Sequence, residues 1–194
     1  MSLITDQWMD SMRIRLPGAL DGAILIETWN AAEELCRTAF VWRQTLEVPL
    51  DTDTALYEIP TQDTIVAFLE IAHETMNVDD VLVDDRTRSL VLPAPPAPDD
   101  LNTPIFLTTV LSPAPQNPIV LDDMLPDDVW VACHDVLRDG VLSRMMSQPA
   151  KPYSNVALAT FHGRRFRSGM AVLRNLTNTG RVPEAQNWRF PKWA

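Results

Sequence analysis

"MMSQPAKPYSNVALATFHGRRF", Met145 to Phe166, decides how the C-terminal part of this 194-residue chain folds. An apolar run reaches Met146, Gln148-Pro149 interrupts it, and a basic segment restarts at Ser154 in a chain that is otherwise acidic. Proline lacks an N–H and clashes with the preceding turn, so a helix ends before it. Ser154 is then the expected cap of the next helix. Upstream, Val129, Ala132, Cys133, Val136, Leu137, Val141 and Met145 recur at helical spacing. Pro126 suits the first position of that helix, and Asp127 and Asp128 suit the positive end of its dipole. Downstream, Ala159, Gly163, Phe166, Met170 and Leu173 form a second stripe, running to about Thr177 before Gly180. Arg164, Arg167 and Arg174 lie to one side of it. A connection this short makes the two helices antiparallel neighbours.

The same reading extends to the N-terminus. Residues from about Ile4 to Ile14 form a short helix that stops at "RLPG". A second helix begins near Asp21, with Ile24, Thr28, Ala31, Ala32, Leu35, Cys36 and Ala39 on one buried stripe and Glu27, Glu33, Glu34 and Arg37 on its wet side. From about Arg43 the period changes. "TLEVPL", "ALYEIP", "TIVAFLEIA", "VLVDD" and "SLVLP" are short β-branched or alternating runs, as strands of an antiparallel sheet would be, and "IFLTTVL" reads as the last central strand. The prolines of "PAPPAPDDLNTP" mark a surface loop.

The expected fold is therefore α+β: a four-helix bundle formed by N- and C-terminal helices, with an inserted antiparallel β domain and an extended C-terminal tail. Residues 1–43 supply the first two helices, 44–123 the β domain, 124–177 the last two helices and 178–194 the tail. The tail has no helical or strand period, yet it holds Arg181, Trp188, Arg189, Phe190 and Trp193. Aromatics and arginine without a core of their own suit a partner surface.

Charge is distributed unevenly. Residues 1–150 carry 25 acidic and 8 basic side chains, and residues 151–194 carry one acid, Glu184, and 8 bases. The net charge of -10 opposes general affinity for nucleic acid, which depends on Lys and Arg releasing counterions from phosphate. No run approaches the roughly 18–20 apolar residues of a membrane span, and the first residues lack the order of a secretory signal. No membrane partner is expected, and the expectation is a cytoplasmic product, or one assembled in the cytoplasm.

Parts for catalysis are missing from the pattern. "HETMN" (His73 to Asn77) starts like a zincin helix, but Asn77 stands where the second histidine belongs. His73, His134 and His162 fall in different predicted elements. The chain has only 6 glycines and no phosphate-binding glycine loop. Acidic pairs such as Asp122-Asp123 and Asp127-Asp128 sit at turns and helix starts, where solvation and capping account for them. Cys36 and Cys133 lie within apolar stripes and read as packed thiols. Neither an enzyme, a metal nor a cofactor is expected. An alternative function is a small nucleic-acid-binding regulator using the basic hairpin, with Lys151, Tyr153, His162, Arg164, Arg165 and Arg167 as its patch.

"WNAAEELCRTAFVWR" (Trp29 to Arg43), "YEIP", "VLPAPP", "LSPAPQNPIVLDDML", "KPYSNVALATFHGRRFRSGMAVLR" and the closing "RFPKWA" together resemble the head-to-tail adaptor proteins of tailed bacteriophages. The similarity is closest to the tail tubular protein A type of short-tailed phages. It runs through nearly the whole chain in order. The resemblance implies a structural virion protein in the neck between head and tail: a homo-oligomeric ring of about twelve subunits closed by heterologous contacts. That ring would join the portal protein to the tail nozzle protein and leave a channel for phage DNA, without catalysis. On that footing, Arg164, Arg167 and Arg174 are the expected subunit-interface residues, meeting the acidic β domain or the second helix of the next subunit. Arg181, Trp188, Arg189, Phe190 and Trp193 are the expected portal-binding residues.

Overall fold

Apolar side chains spaced three and four apart build the helical part of the protein. A computed structural model describes residues 3–51, 54–73, 81–84, 88–97, 100–115 and 118–178. The first helix, α1 (Leu3–Arg15), turns Trp8 and Met12 fully inward. Gly18, with φ of +80°, makes the turn after it, a conformation that costs glycine little because it has no Cβ. In α2 (Asp21–Ala39) all seven residues of the expected stripe are buried. The Trp8 indole donates to Thr28 Oγ1 at 3.2 Å, and Thr28 in turn donates to the Ile24 carbonyl at 2.7 Å. Phe40 adopts a left-handed conformation (φ 55°) and closes α2 by donating its N–H to the Cys36 carbonyl.

The long strands follow the expected pattern: β1 (Arg43–Val48), β3 (Thr64–Ala72) and β6 (Ile105–Ser112) form one antiparallel sheet with β6 in the centre. Between them β2 (Leu56–Glu58), β4 (Leu82–Asp84) and β5 (Ser89–Val91) form a second antiparallel sheet, ordered β2-β5-β4. The β segment thus holds two small sheets where one was expected. Strands of three residues are too short to extend the first ladder. They pair with one another and turn Tyr57 and Leu90 onto Leu46, Ile105 and Leu107 of the longer strands. That core lies between two layers. A larger cluster unites the helices, and Ile65 packs against both cores.

The C-terminal helices are α3 (Asp127–Met146) and α4 (Val156–Asn178), preceded by two 3-10 turns, η1 (Asp100–Asn102) and η2 (Leu121–Asp123). Pro126 flanks α3 instead of occupying its first turn. Ala132, expected in the α3 stripe, is exposed, whereas Trp130, Asp139 and Gly140 are buried. The cap of α4 is Asn155 and not Ser154: its Oδ1 accepts the Leu158 N–H at 3.0 Å. The chain is mixed α+β, with four α-helices and two small antiparallel sheets among the described residues.

Candidate functional site

The face of α4 is shaped first by what its other side must bury. Ala159, Phe166 and Met170 enter the helical core, and glycines let α3 come close. A Cβ on Gly140 would lie 2.9 Å from the Phe166 ring, and one on Gly169 would lie 2.7 Å from Val136 Cγ2. The Arg144 guanidinium sits 5.3 Å above the Phe166 ring. It also reaches Glu34 and, at 3.9 Å, Glu27, so α3 is tied to the polar flank of α2.

A second tie joins α3 to α4. Asp139 is 4% exposed, and its carboxylate accepts from His162 Nδ1 at 2.7 Å and from Arg165 Nε at 2.9 Å. A buried carboxylate is costly without such partners. The network occupies His162, which is largely buried, and the Nε edge of Arg165, whose side chain stays 54% exposed. Tyr153 is buried as well, with its hydroxyl on Gln148 Oε1 at 3.2 Å. Of the six residues weighed as a nucleic-acid patch, Lys151, Arg164 and Arg167 are left exposed without an ion pair among the described residues.

Arg164, Arg167 and Arg174 are exposed, as the sequence suggests. At 100° per residue they fall within about 80° of the helix circumference, along roughly 15 Å of its length. Arg174 stacks 5.3 Å over Phe40 at the end of α2. Beside this basic stripe runs an apolar one that the sequence reading missed. Leu158 (43% exposed), Phe161 (51%), Val172 (55%) and Leu176 (51%) face solvent within about 60° of circumference. Their spacing of three and four carries the signal, but arginines interleaved with them mask it.

A complementary feature lies on the other flank of the helical body. A groove of about 340 Å³ opens between α1, α2 and η2. Met9, Leu25, Ile119 and Leu121 supply apolar walls, and Asp6, Asp21 and Asp122 supply carboxylates against a single guanidinium, Arg13. Arg13 grips Asp21 at 2.7 Å and Asp10 at 2.9 Å. That grip, chiefly its hydrogen bond, holds the Asp21 carboxyl below the usual carboxylate range.

The histidines are dispersed. His73 approaches the Thr103 carbonyl, His134 stacks edge-on to Trp8, and His162 serves Asp139. Among the described residues no group of three or more His, Cys, Asp or Glu could hold a metal ion, and no helix is long and apolar enough to cross a membrane. Cys36 and Cys133 are free and buried. Burial, and secondarily Cys133, pushes the Cys36 thiol up. Residues Arg181, Trp188, Arg189, Phe190 and Trp193 lie outside the described residues, as do positions 74–77 of the "HETMN" stretch. No protein-family model matches the chain, and no curated protein matches it either.

Proposed function

We propose that the chain is a structural subunit of a phage head-to-tail adaptor ring, placed in the virion neck between portal and tail nozzle, with assembly starting in the host cytoplasm. The helices form a four-helix body that packs side by side into the ring wall. Arg164, Arg167 and Arg174 stand at or near the subunit contact, and residues 178–194 dock on the portal through Arg181, Trp188, Arg189, Phe190 and Trp193. The β segment then faces the nozzle. Phage DNA passes through the lumen without specific binding, because carboxylates facing it repel phosphate.

The observation that carries this reading is the separation of charge. The outward arginines of α4 (Arg164, Arg167 and Arg174) belong to a segment of eight bases and one acid, in a chain whose first 150 residues carry 25 acids. Unlike faces attract and like faces repel, which selects a head-to-tail contact over a symmetric one. The reading also rests on the ordered resemblance of the sequence to phage adaptors. A ring stacked on a ring multiplies modest contacts through effective concentration, so a single subunit interface need not be strong.

Negative-stain electron microscopy of the purified protein mixed with its cognate portal tests the proposal. Rings added to one end of the portal are the expected result, and portal particles without added density overturn it. The nucleic-acid alternative is weaker because His162 is held by Asp139 and Tyr153 is buried. Salt-dependent binding of DNA to the free protein would revive it.

A further inference from the structure

One face of the helical body is basic with exposed apolar side chains, and another carries an apolar groove rich in carboxylates. On one, Phe161 projects from α4 half-exposed, with Leu158 one turn before it and Arg164 one turn after. On the other, the groove between α1, α2 and η2 is lined by Met9, Leu25 and Val120 and by three carboxylates, Asp6, Asp21 and Asp122, of which Asp21 is paired with Arg13. A volume of about 340 Å³ sits at the small end of the roughly 300–1,000 Å³ of binding clefts. It admits large side chains and not a folded element.

We infer that this groove receives Phe161 and Leu158 of a second copy of the chain, with Arg164 of that copy facing the carboxylate rim. An aromatic anchor seated in an apolar pocket, with an arginine beside it, is the usual energetic centre of a protein interface. Charge decides the pairing. Two α4 faces brought together would oppose arginine to arginine, and two grooves would oppose carboxylate to carboxylate.

The positions of the faces decide the symmetry. Ala31 and Glu34 mark the side of α2 turned towards α3 and α4, where Ala31 approaches Gly140 and Glu34 pairs with Arg144. Leu25 lies about 120° around the helix from Ala31 and about 180° from Glu34, and Asp21 about 80° and about 140° from the same two. Each copy therefore carries the donor face on one flank and the acceptor groove on another, the arrangement from which rings or open chains grow. This inference rests on the ring reading and names the surfaces that would close it.

The test uses the full chain with two exposed positions changed, Leu158→Cys and Val120→Cys, which keeps the Phe161 anchor and Arg164 in place. Cys36 and Cys133 are buried and stay out of the reaction. Under mild oxidation the double variant is expected to give a ladder of dimers, trimers and higher species on a non-reducing gel. Each single variant should give dimers at most. Adding Arg164→Glu should abolish the ladder, and adding Asp6→Arg with Asp122→Arg to that protein should restore it. A double variant that stops at monomer or dimer overturns the pairing, as does a ladder indifferent to the charge reversals. Rings seen on the portal without a ladder would keep the adaptor reading and discard these faces. A ladder from a protein that leaves the portal bare would keep the faces and discard the adaptor role.

Discussion

Nδ1 of His162 lies 2.7 Å from Oδ1 of Asp139, which pins the middle of α4 to the middle of α3 through a carboxylate with almost no access to water. Arg165, one residue-turn further along α4, holds the other oxygen. Removing the acceptor leaves the largely buried His162 without its partner while the half-exposed Arg165 turns to water, and hydrogen bonds to charged groups are worth about 1.5–3 kcal/mol. Asp139→Ala is expected to lose about that much in urea denaturation. Asp135→Ala is the control: its side chain is 73% exposed and pairs with Arg138 on the surface, so its cost stays under about 1 kcal/mol. Equal losses would show that the buried network adds nothing to stability.

Gly140 marks where three helices come closest. An alanine there would put its Cβ 2.9 Å from the Phe166 ring and 3.2 Å from the Ala31 Cβ, both of them core neighbours. Overpacking of this kind costs about 1–3 kcal/mol, more than the roughly 1 kcal/mol of helix propensity that alanine gains over glycine. Gly140→Ala should therefore lower the denaturation midpoint. Gly22→Ala in α2, where nothing lies within 4 Å, should raise it. The same sign for both changes would contradict the packing described for α3 and α4.

These two sites show where periodicity reaches and where it stops. The α2 stripe is legible because it repeats one period without interruption; the limits of β3 are legible from the β-branched run between turn residues, although its register with β6 shifts twice. The division of the β segment into two sheets is not legible, since three-residue strands such as β2 and β5 carry no information about which strand they will pair with. Asp139 escapes for a different reason. A carboxylate inside an apolar stripe is stable only if a neighbouring helix brings His162 and Arg165 to it, and that contact spans 23 and 26 residues. The arginines of α4 are visible because local spacing alone places them on one side. The groove proposed to face Arg164 is assembled from three separate segments and has no sequence signature.

Asp63 provides a pH test. Burial pushes its carboxyl up, against a backbone hydrogen bond from Ala114 and the charge of Arg88, which pull it down. A carboxyl raised in the folded state adds stability while protonated. That contribution is complete below the unfolded value of about 3.9 and is lost as pH rises through the raised folded value. Asparagine has no such loss. Asp63→Asn is expected to melt above the parent protein at neutral pH, with the gap narrowing as the pH falls towards about 4. A gap that is independent of pH would exclude ionisation as its cause.

Arg164, Arg167 and Arg174 are predicted to act in assembly and not in folding. All three are exposed, and exposed charge pairs add little to the stability of a monomer. The triple change to Gln should leave the circular dichroism melt within about 1 kcal/mol of the parent while removing ring species from native mass spectra. Salt should mimic the mutation in part, because charges further apart than about 10 Å are largely screened at 0.1 M. Rings that persist in the triple variant would remove the arginines from the contact.

Truncation after Asn178 separates portal docking from folding. The last anchors of α4 remain in the shortened chain: Thr177 Oγ1 donates to the Ala39 carbonyl at 2.9 Å, and Arg43 donates to Asn178 Oδ1 at 3.2 Å. The shortened protein should unfold at the same denaturant concentration as the full chain. Portal binding is expected to vanish with Arg181, Trp188, Arg189, Phe190 and Trp193, since aromatic and arginine anchors dominate such contacts. Because every copy in the proposed ring would repeat the same contact, even Trp188→Ala alone should weaken binding to the portal far more than it weakens one isolated contact. A truncated protein that still co-sediments with the portal would move the docking surface to the body of the subunit.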